Sequence, residues 1–134
     1  MGLFGKKKLK PMILNFYEGE LQGFQCNFPC EVLLTDNVLW IVRRNPYIEV
    51  KLDRKRITSI DILPEREYMA KFKGVPIEIP KSQYIHKDFY GIYYMSKDGE
   101  NKQLVLWGTS GESLKVMKMR KELLSQRSPQ SYEI

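Results

Sequence analysis

Short apolar segments bounded by turn residues recur along most of the chain, and one of them alternates with a period of two. The clearest alternation runs from Tyr47 to Leu52, where Ile48, Val50 and Leu52 share one face. Successive side chains of a β-strand point to opposite faces, so this pattern predicts a strand with one buried face. Apolar runs bounded by turn residues predict further strands at 12–17, on both sides of Asp36-Asn37 within 31–44, and at 57–63, 89–96 and 102–107.

Turn residues separate these strands. Asp36-Asn37 predicts a tight hairpin, Asn45-Pro46 the next turn, and Gly99 the left-handed position of the last hairpin turn. The start of the segment 65–87 is compatible with either a strand or a helical turn. Gly74, Pro76 and Pro80 then break any long element in this segment.

The apolar period changes after Gly108, where an amphipathic helix is predicted. Thr109 or Ser110 is the candidate N-cap, and Glu112 lies in the first turn. The helix should end near Arg127, before a proline. Its predicted apolar stripe consists of Leu114, Val116, Met117, Met119, Leu123 and Leu124.

These elements predict a mainly β fold: a bent antiparallel barrel of six or seven strands capped by one C-terminal α-helix. The 134 residues suffice for one domain. We expect a basic flexible tail at 1–10, the domain at 11–127 and a flexible C-terminal tail at 128–134.

Three segments then resemble a known family. V-L-L-T-D-N-V-L-W-I at 32–41, I-E-V-K-L-D-R-K-R-I-T-S-I-D-I at 48–62 and L-V-L-W-G-T-S-G-E-S-L at 104–114 look like a bacterial or phage pleckstrin-homology-like (PH-like) domain. The resemblance covers about residues 12–126. It implies a seven-stranded bent barrel capped by a helix, and a binding module that is not an enzyme. Phosphoinositide-binding members place bases in the first hairpin, but residues 11–42 contain no Lys or Arg, so that site does not carry over.

Charge is distributed unevenly around a net value of +6. Residues 1–10 carry +4, residues 11–42 carry −4 and residues 43–56 carry +4. The candidate site for an anion or a partner is this second basic stretch, and antiparallel pairing would place its two groups at one end of the sheet. The residues are Arg43, Arg44, Lys51, Arg54, Lys55 and Arg56.

The N-terminal tail is a candidate membrane contact. Its two large apolar residues and its bases are Leu3, Phe4, Lys6, Lys7, Lys8 and Lys10. The apolar stretch is too short for a signal peptide, and Lys6 stands where a myristoylation pattern has Ser or Thr. We therefore expect a cytoplasmic protein, with peripheral association at the inner face of the membrane as an alternative.

Residues for catalysis or metal binding are sparse. Cys26 and Cys30 form only half of a zinc site, and His86 is the only histidine, in a polar stretch typical of the surface. We expect free, buried thiols, no cofactor, no metal and no catalytic residues. No phosphate-cradling glycine motif occurs.

Three functions remain open. The leading hypothesis is a non-catalytic module that acts through protein contacts, with a protein partner or a second copy of itself. The first alternative is a module that binds anionic membranes. The second, which we favour least, is a barrel that binds single-stranded nucleic acid on the aromatic residues between Tyr84 and Trp107, about half of which must be core.

Overall fold

The computed structural model describes residues 11–74 and 86–125. The strands are β1 (Met12–Glu18), β2 (Pro29–Leu34), β3 (Val38–Arg43), β4 (Ile48–Asp53), β5 (Ile57–Pro64), β6 (Lys87–Met95) and β7 (Asn101–Thr109). The helical elements are a 3₁₀ turn (Arg54–Arg56), α1 (Glu65–Tyr68), a π-helical turn (Met69–Lys73) and α2 (Ser110–Ser125). The predicted tails and the predicted helix end near Arg127 lie outside the described residues.

The seven strands form one antiparallel sheet in the order β4-β3-β2-β1-β7-β6-β5. Strand β1 pairs with both β2 and β7, which joins the first half of the chain to the last hairpin. Within the described residues, β4 and β5 are therefore the two edge strands of the sheet.

The connection between these edge strands shows that the sheet is bent. In a flat sheet of this order, β4 and β5 would lie about 29 Å apart, six strand spacings. Only the 3₁₀ turn separates Asp53 of β4 from Ile57 of β5, and four residues span at most about 14 Å. One hydrophobic cluster contains residues of every strand and of α2. The predicted mainly β, bent antiparallel fold with a helical cap is confirmed.

One of the two predicted N-cap candidates, Thr109 and Ser110, caps helix α2. The backbone N–H and hydroxyl of Thr109 donate to Glu112 Oε1 at 3.0 and 2.8 Å, so Thr109 is the N-cap. Val116, Met119 and Leu123 enter the core. Two other residues of the predicted stripe are placed differently, and the Leu124 side chain lies outside the described part of the structure.

Two residues of that stripe point away from the core. Leu114 is 66% exposed and Met117 is 45% exposed, so their assignment to the buried face was wrong. A helix that lies on a curved sheet buries an arc of about 100°. Both residues lie outside that arc, which Val116, Met119 and Leu123 define.

The outer surface of β5, β6 and β7 is covered by α1 and the π-helical turn, residues 65–73. A second hydrophobic cluster forms there, on the face opposite the main core. The rings of Tyr68 and Phe89 stack with centroids 4.6 Å apart. Tyr68 also donates a hydrogen bond to Glu18 Oε1 at 3.2 Å. We call this surface the covered face; its residues are Tyr17, Leu63, Tyr68, Met69, Phe89, Val105 and Trp107.

This arrangement decides the structure at the start of the segment 65–87 and the placement of two late aromatic residues, which the sequence left open. The start of the segment 65–87 is helical, and residues 75–85 lie outside the described residues. Tyr90 is buried in the main core, as alternation predicts for half of the late aromatic residues. Phe89 points the other way and is buried as well, because residues 65–73 cover it.

Candidate interaction surface

The six basic residues of the predicted site do not form one patch. The expectation that they lie at one end of the sheet was wrong, because Arg43 pairs with Ile48 while Asp53 pairs with Val38. Strand β4 runs the full length of the hairpin between the two basic groups. Its five residue steps separate them by about 17 Å.

Three of the six arginine and lysine side chains bind backbone carbonyls of the fold. Arg43 donates to the carbonyl of Gly23, and Arg56 donates to the carbonyl of Met95 at 3.1 Å. Arg54 is buried, and it donates to the carbonyl of Thr35 at 2.8 Å. These contacts join loops and strands, which is a structural role.

The buried position of Arg54 was not predicted, because the run Asp53 to Arg56 resembles an ordinary charged turn. Its guanidinium also lies 3.3 Å from Glu122 Oε2 of α2. The arginine therefore connects the end of the edge strand β4 to the capping helix. Only the packing of α2 against the sheet brings these two residues together.

Lys51 and Lys55 have exposed side chains. The ammonium of Lys51 lies 5.2 Å from the centroid of the Trp40 ring, in a cation–π arrangement. The backbone N–H of Lys55 donates to Asp53 Oδ1 at 2.9 Å, which caps the 3₁₀ turn.

Arg44 makes the most specific contact of the six. Its Nε and Nη2 donate to the two carboxylate oxygens of Glu31 at 2.6 and 3.2 Å, a bidentate geometry. This hydrogen bond raises the pKa of Arg44. The guanidinium also lies 5.3 Å from the ring centroid of Tyr47. Tyr47 donates to Glu49 Oε2 at 2.8 Å, which raises its own pKa.

Arg44 and Glu31 border a groove of about 330 Å³ on the outer surface of the first half of the sheet. The pairing registers place Ile13, Glu31, Val42 and Glu49 in one row across β1 to β4. The groove is lined by Ile13, Pro29, Cys30, Glu31, Val42, Arg44 and Asn45.

We call this surface, made by Ile13, Glu31, Val42, Arg44 and Tyr47, the open face. Two of its apolar members are exposed, Ile13 at 54% and Tyr47 at 51%, whereas Val42 is buried beneath the neighbouring side chains. Ile13 alternates with the core residue Leu14, so a strand that feeds the core also presents an aliphatic side chain to the outside. The open face thus combines an apolar floor with the Arg44–Glu31 ion pair, and Glu49 lies at its border beside Tyr47.

A polar network connects β6 to the first turn of α2. Asp88 is buried; its Oδ1 lies 2.8 Å from His86 Nε2, and its Oδ2 accepts a hydrogen bond from the Ser113 hydroxyl. The hydroxyls of Tyr90 and Ser113 lie 2.8 Å apart. Burial raises the pKa of Tyr90 to about 12. The network attaches the start of α2 to the sheet. His86 is exposed, as predicted.

The two cysteines are free thiols in different surroundings. Cys30 is buried in the main core, as predicted, and burial raises its pKa to about 12. The expectation of a buried thiol was wrong for Cys26, which is exposed. In the described residues, no group of three or more His, Cys, Asp and Glu side chains is placed to hold a metal ion.

Comparisons with known proteins add no family assignment. A scan against protein-family models and a search of curated proteins found no match to this chain. Among the helices of residues 11–74 and 86–125, none has the length and apolar character needed to cross a membrane. The candidate membrane contacts of the tail, Leu3 to Lys10, lie outside the described residues.

Proposed function

We propose that the protein is a non-catalytic, PH-like interaction module that acts through protein contacts, and that its open face binds a second copy of the chain. The observation that carries the proposal is the groove between Ile13, Val42 and the Arg44–Glu31 pair. Exposed apolar groups beside a groove, with polar groups at the rim, are typical of association surfaces.

The charges of the open face favour a second copy as the partner. A two-fold interface brings the same surface together from both chains, so it must be self-complementary. Arg44 and Glu31 are adjacent and opposite in charge. Across a two-fold axis, each arginine can therefore pair with the glutamate of the other chain without leaving an unpaired charge. Ile13 of one copy is the right kind of side chain to enter the groove of the other.

The strand order supports the PH-like part of the proposal. Seven antiparallel strands followed by one C-terminal helix are the architecture that the resemblance implies. The separation of the two basic groups at 43–44 and 54–56 favours protein contacts over nucleic acid, because a nucleic-acid-binding domain usually collects its Lys and Arg residues on one face. A cytoplasmic location is part of the same proposal.

A mixing experiment with charge reversals tests the dimer. Arg44→Glu and Glu31→Arg each place like charges side by side within a chain and across a two-fold interface. We expect each variant alone to be monomeric in sedimentation velocity over a concentration series, while the unaltered chain dimerises. An equimolar mixture of the two variants should dimerise, because every Glu then meets an Arg across the interface. Pairing confined to one chain cannot produce that rescue.

Lys55→Glu is the control, since Lys55 is exposed and lies at the opposite end of the β3–β4 hairpin from Arg44. It should dimerise like the unaltered chain. A monomeric unaltered chain at every concentration would overturn the self-association. A dimer that survives both single reversals would place the interface on another surface.

A further inference from the structure

The outward side of α2 carries apolar residues among lysines. At about 100° per residue, Val116, Met119 and Leu123 occupy one narrow arc of the helix, and the described side chains of the opposite arc belong to four other residues. We call these residues, Leu114, Met117, Lys118 and Lys121, the α2 ridge. All four are exposed, and two of them are the apolar residues that the sequence pattern assigned to the core.

The charge of this side of the helix is positive. Lys118 and Lys121 are exposed on the ridge, and Lys115 is exposed on the flank of the helix. The two acidic residues of α2 have contacts elsewhere: Glu112 accepts from the N-cap, and Glu122 lies beside Arg54. The ridge therefore presents lysines around two apolar side chains, and the complementary surface is anionic.

The residue types favour a lipid surface over a protein. Protein interfaces are enriched in aromatic residues, Met and Arg and depleted of Lys, whereas two of the four ridge residues are Lys and none is aromatic or Arg. Lysine has a long aliphatic stem, so it can lie along an apolar boundary while its ammonium stays among headgroups. Helices that lie in a membrane interface combine these same features. A convex helix also suits a flat surface better than a binding cleft.

We infer that the α2 ridge docks on an anionic bilayer surface. Leu114 and Met117 enter the boundary between headgroups and acyl chains, and Lys118 and Lys121 bind the lipid phosphates and carboxylates. This site is independent of the proposed dimer. Helix α2 packs on the inner side of the sheet through Val116 and Met119, whereas the open face is on the outer side. The protein can therefore bind a membrane and a second copy at the same time.

Flotation of the full chain with vesicles tests this site. The vesicles contain phosphatidylcholine with a minor fraction of phosphatidylserine, and pure phosphatidylcholine vesicles serve as the neutral reference. We expect binding to the anionic vesicles only. Leu114→Ser with Met117→Ser should weaken it about 10-fold. Lys118→Glu with Lys121→Glu should weaken it at least about 30-fold. All four side chains are exposed, so the variants should keep the thermal stability of the unaltered chain.

A matched control separates the ridge from net charge. Lys51→Glu with Lys55→Glu changes the net charge by the same amount at exposed sites of the β4 region. It should weaken binding less than about threefold at physiological salt, because exposed charges are screened beyond about 8 Å. Equal losses for the two lysine pairs would show unspecific attraction and overturn the inference.

A tail variant separates the ridge from residues 1–10. Replacement of Lys6, Lys7, Lys8 and Lys10 by Gln should leave binding that still depends on Leu114 and Met117. Loss of all binding in the tail variant, with no loss in the ridge variants, would assign the membrane contact to the tail and overturn the inference. An unaltered chain that binds neither vesicle would overturn it as well.

Discussion

The two outer surfaces of the sheet differ in how their apolar residues are protected. On the covered face, residues 65–73 pack over Phe89 and Val105 and bury both. On the open face, Ile13 and Tyr47 remain about half exposed beside a groove. The same alternation of inward and outward side chains produced both surfaces, because both lie behind strands that feed the main core.

We assign stability to the covered face, and our proposal assigns recognition to the open face. One face of an antiparallel sheet can stay in water, but an apolar patch on that face is typical of a surface that the chain itself or a partner covers. The chain supplies the cover for β5 to β7 through a helical segment inserted between β5 and β6. For β1 to β4, we propose that a second copy supplies it. Variants that change folding and association separately will therefore show which face stabilises the fold and which face binds a second copy.

The largest effect is expected on the covered face. Phe89→Ala should lower the free energy of unfolding by about 3–5 kcal/mol, because Phe89 is buried and stacks on Tyr68. Urea denaturation measures the change. Phe89→Leu keeps most of the apolar volume and should lose clearly less. A loss below about 1 kcal/mol for Phe89→Ala would mean that residues 65–73 do not seal this face.

The next effect concerns the contact that connects the open half of the sheet to α2. Arg54→Ala should lower the free energy of unfolding by about 2 kcal/mol, because the carbonyl of Thr35 loses a donor. Glu122→Gln should lower it by less than about 1 kcal/mol, since the Glu122 side chain is 57% exposed. Equal losses for the two variants would show that the ion pair, and not the carbonyl contact, stabilises this junction.

A pH dependence tests the thiol that lies behind the open face. Burial raises the pKa of Cys30 from 9.0 to about 12, so the unfolded chain ionises first as the pH rises. Ionisation of this thiol should leave the free energy of unfolding unchanged below pH 9. Between pH 9 and 12 this thiol should lower it by about 1.4 kcal/mol per pH unit. Cys30→Ala should reduce that slope, measured by urea denaturation at each pH.

Cys26→Ala is the control for that experiment, because Cys26 is exposed. It should keep the alkaline slope of the unaltered chain. Tyr90, whose pKa burial raises to about 12, adds to the slope in every variant, so the difference between Cys30→Ala and the unaltered chain is the informative quantity. An unchanged slope for Cys30→Ala would mean that water reaches the thiol in the folded state.

The smallest effect on folding is expected on the open face. Ile13→Ala should change the free energy of unfolding by less than about 0.5 kcal/mol, because Ile13 is exposed. Its dimer dissociation constant should rise about 10-fold or more, since the methyl groups are lost from both copies. Sedimentation velocity measures this constant. A destabilised monomer with unchanged dimerisation would reverse the roles that we assign to the two faces.

Much of the fold followed from local signals. The turns at Asp36-Asn37, Asn45-Pro46 and Gly99 separate paired strands, and the helix begins after Thr109 as predicted. Each signal involves residues close together in the chain. The candidate site depended on distant contacts, and there the prediction from sequence was only partly useful. Arg44 lies at the groove, while Arg54 is buried and the two basic groups are apart.

Apolar runs, their alternation and the turn residues between them were enough to define six or seven strand segments and a final helix, because these signals depend only on local geometry. They were not enough to decide what covers each outer face. Glu31 meets Arg44 only when β2 pairs with β3, and Tyr68 meets Phe89 only when residues 65–73 fold back on the sheet. The outward position of Leu114 and Met117 likewise depends on the side of α2 that the bent sheet contacts. Those contacts join residues far apart in the chain, so they were decided by the packing of the whole sheet.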